Sequence, residues 1–158
     1  MESANHVDLF FAYGRTWRTT HATPLRQLIE RNGTRLRVVL PDRDDEALMR
    51  QLSAKFRYSE ADLIKNIDDA EADIANLHRL AAPHATVELR RTPEFPVYTY
   101  YRFDRSCFVV LYSQAPGRFD VPAFECEQSG WLSGFARSQF DALWNDASVR
   151  PLGEDHFA

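Results

Sequence analysis

Lysine, long apolar runs and a basic excess are scarce in this chain. Only Lys55 and Lys65 are lysines among the 19 basic residues. The resulting arginine bias fits a GC-rich coding sequence and is not by itself a sign of phosphate recognition, although arginine suits that work. No apolar run approaches the roughly 20 residues of a membrane span. The start, "MESANHVDLF", lacks a basic segment leading into an apolar one, so no secretory signal and a cytoplasmic location are expected. Without secretion, the two cysteines, Cys107 and Cys126, are expected as reduced core thiols, not a disulfide. The net charge of −4 argues against direct nucleic-acid binding, which normally uses a basic patch. There is no glycine-rich phosphate loop, no paired CxxC, no HExxH and no GxSxG. His6, His21, His78, His84 and His156 include no pair at helical metal spacing, so neither a metal nor a cofactor is expected.

What remains is an ordinary globular composition. The 158 residues are 44% hydrophobic and 13% aromatic, enough for one sizeable core. The absence of repeats and low-complexity linkers predicts a single domain over 1–158, with a core of about 7–148 and a loose tail, "SVRPLGEDHFA".

The order of elements reads as α/β. "VDLFFAY" (7–13) is a buried strand. In "ATPLRQLIERNG", Thr23 can cap, Pro24 fits a first helical turn, and Asn32-Gly33 ends the helix. "TRLRVVLPD" (34–42) is a second strand, and strand–helix–strand predicts parallel pairing. A helix over 44–56 begins with acidic residues that favour its N-terminus. Ser59 caps a longer helix in which Leu63, Ile67, Ala70, Ile74 and Leu77 form one stripe. That stripe packs on the sheet or, on a sharper reading, forms a dimer seam. Beyond Pro83 four strands follow, over 85–90, 97–104, 107–113 and 121–127, with a turn at 115–118. A helix over 131–144 then carries Leu132, Phe135, Phe140, Leu143 and Trp144 as apolar positions.

Three stretches carry candidate chemistry. "YGRTWRTTH" (13–21) follows the first strand, and ligands of α/β sheets bind beyond the carboxyl ends of parallel strands. Tyr13, Arg15, Thr16, Thr20 and His21 stand there; the plainer reading is a helix cap at Thr19 or Thr20 and a solvated Arg15. Asp42, Asp44 and Asp45 can hold a hard cation or, as the plainer reading has it, cap the next helix and bias its dipole. In "VYTYYRFD" (97–104), alternation puts Tyr98, Tyr100, Arg102 and Asp104 on one face. Arg102 and Asp104 are then either a surface ion pair or, with the tyrosines, a cradle for a planar or anionic ligand.

The start "VDLFFAYGRTWRTTHATPLRQLI", then "NGTRLRVVLPD", the hairpin "VYTYYRFDRSCFVVLYS" and the helix "WLSGFARSQFDALW" together resemble one half of the phospholipase D-like fold, over roughly 7–148. The likeness is greatest to the short, degenerate domains of bacterial proteins that often accompany helix-turn-helix regulators. It implies a mixed β-sheet with flanking helices and a C-terminal β-hairpin plus helix. Active members of that superfamily carry HxKxxxxD on the hairpin, with the His as nucleophile and the Lys and Asp supporting phosphate. If Asp104 takes the family's Asp position, the His position falls on Val97 and the Lys position on Thr99. Neither side chain can replace an imidazole nucleophile.

Three functions stay open. The preferred one is a non-catalytic ligand-sensing or regulatory module, recognising a small anionic or nucleotide-like ligand through Tyr13, Arg15, Thr16, His21, Tyr100, Arg102 and Asp104 and signalling to a protein partner. The second is a phosphodiesterase or nuclease-type hydrolase using His21 with Arg15 and Arg102. The third is a homodimeric interaction subunit, with Trp17, Trp131 and Trp144 as core or interface anchors.

Overall fold

The computed structural model describes residues 4–113, 121–127 and 129–150. The elements are β1 (His6–Phe10), α1 (Arg15–Thr20), α2 (Ala22–Ile29), β2 (Arg35–Pro41), α3 (Glu46–Phe56), α4 (Glu60–Leu80), β3 (Thr86–Thr92), β4 (Tyr98–Phe103), β5 (Ser106–Leu111), β6 (Ala123–Cys126), α5 (Trp131–Asp146) and β7 (Ser148–Arg150). The described strands form one sheet in the order β6-β5-β4-β1-β2-β3-β7. Strands β1, β2 and β3 run parallel. The apolar runs of β1 and β2 suit strands buried on both faces. On the other side of β1, strands β4, β5 and β6 continue the sheet antiparallel, and β7 closes the far edge against β3.

Two cores result, one on each face. Val7, Leu9, Phe11, Val38 and Leu40 meet the buried sides of α2, α3 and α4. The α4 stripe from Leu63 to Leu77 lies in this core, so it packs on the sheet and is not a free dimer seam. On the opposite face Phe10, Val39, Tyr100 and Val109 meet Ala136, Phe140 and Trp144 of α5.

Capping chemistry fixes several helix starts. Asp45 accepts from Leu48 N–H at 2.9 Å and opens α3, while Ser59 accepts from Asp62 N–H at 3.0 Å and opens α4. Asp42 accepts from Asp44 N–H in a local turn, and Asp44 bonds Arg91. The acidic cluster at 42–45 is therefore spent on capping and pairing. The same Arg91 holds Glu71 through two bonds of 2.5 and 2.7 Å, burying an acidic residue that lies outside the Leu63–Leu77 apolar stripe.

Other expectations change. Residues 15–20 are a short helix, so Thr19 and Thr20 lie inside it, and α2 starts at Ala22 with Thr23 inside its first turn. The tail expected to be loose begins with β7. On α5, Phe140 and Trp144 are buried, but Trp131, Leu132 and Phe135 are exposed. The turn expected at 115–118 lies outside the described residues. No helix among them is long and apolar enough to cross a membrane.

Candidate functional site

Arg102 and Asp104 do not pair with each other. Arg102 lies opposite Asp8 in the β1–β4 ladder, and its Nη2 donates to Asp8 Oδ2 at 2.7 Å. Arg37, opposite Asp8 on the other side, donates from Nε and Nη2 to both carboxylate oxygens at 2.7 Å. Asp8 is only 1% exposed, so its charge has to be matched within the protein. Arg37 also reaches Asp141 of α5 at 3.2 Å and lies 4.9 Å from the Phe140 ring centroid. Burial works against its charge, but the bonds and charge of Asp8 and Asp141 outweigh it and raise the guanidinium pKa. Beside this cluster, Tyr100 Oη and Arg102 Nε are buried with no hydrogen-bond partner among the described residues. Burial pushes the Tyr100 phenol well above its ordinary pKa.

Asp104 serves the chain start. It occupies the hairpin turn in the left-handed region, φ 49°, which Asp tolerates better than most residues. Its carboxylate accepts the backbone N–H of Asn5 at 3.0 Å and of His6 at 2.7 Å. Burial opposes ionisation; the His6 and Asn5 bonds and the His6 charge prevail and hold the carboxyl below its usual range.

The carboxyl end of β1 carries a different assembly. Gly14 adopts φ +53°, and a Cβ there would sit 2.8 Å from the Phe11 ring. Only glycine meets both demands, and the chain turns directly into α1. Trp17 of α1 stacks on Tyr101 of β4 at 4.7 Å and on His21 at 4.4 Å. The His21 Nδ1 lies 2.8 Å from the Trp17 carbonyl oxygen. Arg18 is buried; its Nε donates to the Tyr13 carbonyl at 3.0 Å and its guanidinium pairs with Asp73 of α4. Burial lowers its pKa. Arg15 and Thr16 are exposed on the same short helix.

The positions matched to the family nucleophile and lysine lie at this same end. Val97 is 59% exposed. Thr99 is 5% exposed, and its hydroxyl donates to the Tyr112 phenol oxygen at 2.8 Å. Tyr112 in turn packs edge-on against Phe56, and Phe56 against Tyr13. An aromatic plug fills the space next to the position matched to the lysine.

The seven candidate residues therefore fall into separate places. Tyr13, Arg15, Thr16 and His21 gather at the carboxyl end of β1, while Asp104 stands at the opposite end of the sheet. Tyr100 and Arg102 lie on the α5 face, whereas Tyr101 and the Trp17–His21 stack lie on the other. The hydrolase trio of His21, Arg15 and Arg102 is split by the sheet. Sequence reasoning missed Trp17 and Tyr101 as stacking partners, and Asp8 and Arg37 as the destination of Arg102. An aspartate inside the apolar run "VDLFFAY" was the signal for the second omission. No group of three or more His, Cys, Asp or Glu among the described residues is placed to hold a metal.

No protein-family model matches the sequence, and no curated protein matches it either. The solved structures similar in shape include the following two. One is TrmBL2, an archaeal chromatin protein with a novel mode of DNA binding, at 16% identity and a TM-score of 0.49. The match covers 94% of this chain but 46% of that one, so the chain spans about half of TrmBL2. The other is Nuc from Salmonella typhimurium, a phospholipase D family member, at 13% identity and a TM-score of 0.54, covering 94% of this chain and 84% of that one. The expectation drawn from net charge, against direct nucleic-acid binding, is corrected: a summed charge of −4 does not say how charge is distributed over the surface and does not exclude such a partner. The mixed sheet with helices on both faces, matched to Nuc over most of both chains, is the phospholipase D-like fold.

Proposed function

We propose that the chain is a non-catalytic ligand-sensing or regulatory module, a degenerate phospholipase D-like half whose ligand is small and planar or anionic, nucleotide-like in chemistry. Support for the loss of catalysis comes from Val97 and from Thr99, whose buried hydroxyl is committed to Tyr112. Support for binding comes from one observation above the others, the stack of Trp17 on Tyr101 and His21. The rings are half-buried, as a platform for a nucleobase would be, and base–aromatic stacking contributes about 1–3 kcal/mol per base. Arg15 and Thr16 on the same helix supply a charge and a hydroxyl for an attached phosphate.

The test is a titration with purine and pyrimidine mononucleotides, read by tryptophan fluorescence and by Tm. A ligand at 100 times its Kd stabilises the fold by about 2.7 kcal/mol. We expect quenching and a raised Tm with at least one nucleotide, lost in Trp17→Leu and weakened in Arg15→Ala. No response to any nucleotide overturns the reading. Turnover of a phosphodiester substrate overturns its non-catalytic part.

A second reading, a homodimeric interaction subunit, draws on the far side of the molecule. Trp131 is 81% exposed and stacks with Phe135 at 5.5 Å. Phe124 of β6, opposite Val109 in the ladder, is exposed on the same face. Sedimentation at rising concentration distinguishes the two: a dimer lost in Trp131→Ser supports this reading.

A further inference from the structure

Cys107 of β5 and Cys126 of β6 are directly opposite each other in an antiparallel ladder. Both are buried and free. Directly opposite residues of antiparallel strands have Cα atoms about 4.5 or 5.5 Å apart, and a disulfide spans about 4.4–6.8 Å, so either kind of pair fits. Their side chains share the α5 face of the sheet, in one buried cluster. β6 is four residues long and lies at the sheet edge, with β5 as its one neighbour among the described strands. Its Phe124 and Glu125 are exposed. Short edge strands are the segments that open most readily, so a small oxidant reaches Cys126 without global unfolding.

We propose that Cys107 and Cys126 are a redox latch, closing into a cross-strand disulfide in the presence of a low-molecular-weight disulfide and pinning β6 to β5. The thiolate of one cysteine attacks a sulfur of the oxidant and releases one small thiol. The other cysteine then attacks the mixed disulfide and releases the second. One S–S bond is broken and one formed; the protein loses two electrons and two protons, and the oxidant gains two electrons as it leaves as two thiols. The Cys126 thiol is pushed up to about 11 by burial and by the neighbouring Cys107, so closure is slow at neutral pH and accelerates in base. The latch is coupled to α5, because the Cys107 sulfur lies 3.6 Å from the Ser133 hydroxyl. Closing it immobilises the edge that carries Phe124 beside the exposed end of α5.

The experiment is incubation of the native chain with oxidised glutathione, followed by denaturation, alkylation of remaining thiols and peptide mass mapping. We expect neither cysteine alkylated, a peptide pair linked through Cys107 and Cys126, and monomeric migration without reductant. Tm should rise by roughly 5 °C or more and return on reduction. Cys107→Ser and Cys126→Ser should each stop at a glutathione adduct on the remaining thiol. Full alkylation of both cysteines after native treatment, a stable glutathione adduct on the unmutated chain, or linkage between two chains would each overturn the latch.

Discussion

The Thr99 hydroxyl donates to the Tyr112 phenol oxygen at 2.8 Å, inside an aromatic cluster with Phe56 and Tyr13. Tyr112→Phe keeps the ring and strands the Thr99 hydroxyl and the Ala12 N–H, so a loss of about 1–2 kcal/mol is expected by urea denaturation. Rewriting the motif as Val97→His with Thr99→Lys forces an ammonium into this cluster. That double variant should lose about 3 kcal/mol or more and show no phosphodiester hydrolysis above background. A rate gain would mean that this end of the sheet has room for a working His–Lys pair.

The Asp8 carboxylate bridges Arg37 and Arg102 across three neighbouring strands. Asp8→Asn leaves two guanidinium groups against an amide in a buried setting, and breaking such a pair costs about 3–5 kcal/mol. Replacing Asp8, Arg37 and Arg102 together by apolar residues should cost much less than the sum of the single changes, because no charge is then abandoned. Denaturant midpoints of the unaltered chain, the three single variants and the triple variant test this directly.

Asp104 should make stability fall in acid. Its folded pKa is depressed, so its contribution is present above the unfolded value of about 3.9 and is lost as pH falls through the folded value. The side chain is 35% exposed, and solvent screening keeps the effect small. The Tm difference between the natural chain and Asp104→Asn should be largest at neutral pH and shrink in the acid range.

Gly14→Ala should be more harmful than Gly33→Ala. Both glycines have positive φ, but a Cβ at position 14 meets the Phe11 ring whereas one at 33 meets nothing within 4 Å. The left-handed region alone costs an alanine about 1–2 kcal/mol. The excess at position 14 measures the steric term, and thermal melts of the two variants separate it.

Much of this fold is legible from local rules. The α4 stripe, the Ser59 cap and the aromatic hairpin all come from spacing and composition, and their burial follows. What escapes is whatever depends on a partner distant in sequence. Alternation placed Arg102 and Asp104 on a shared side of β4, yet one is matched by Asp8 across the ladder and the other by the backbone of Asn5 and His6. α1 escapes for another reason: six residues with no side-chain cap leave no periodic signal, and its position is set by Gly14 and the buried Arg18. On α5 the apolar spacing was visible, but which apolar residues the sheet covers depends on where the helix lies. Trp131 and Phe135 fall outside that cover.

The strand order carries a cost in time. β1 sits mid-sheet between β2 and β4, but the carboxylate that ties down its start arrives 98 residues after His6. During synthesis β1, β2 and β3 can associate with their helices while the other flank of β1 still waits for the hairpin. For that interval an apolar strand is a temporary sheet edge, with its peptide groups unpaired. Emergence of the β4–β5 hairpin from the ribosome is then the event that ends the exposure, and variants that slow the hairpin should aggregate on synthesis even where the finished fold tolerates them.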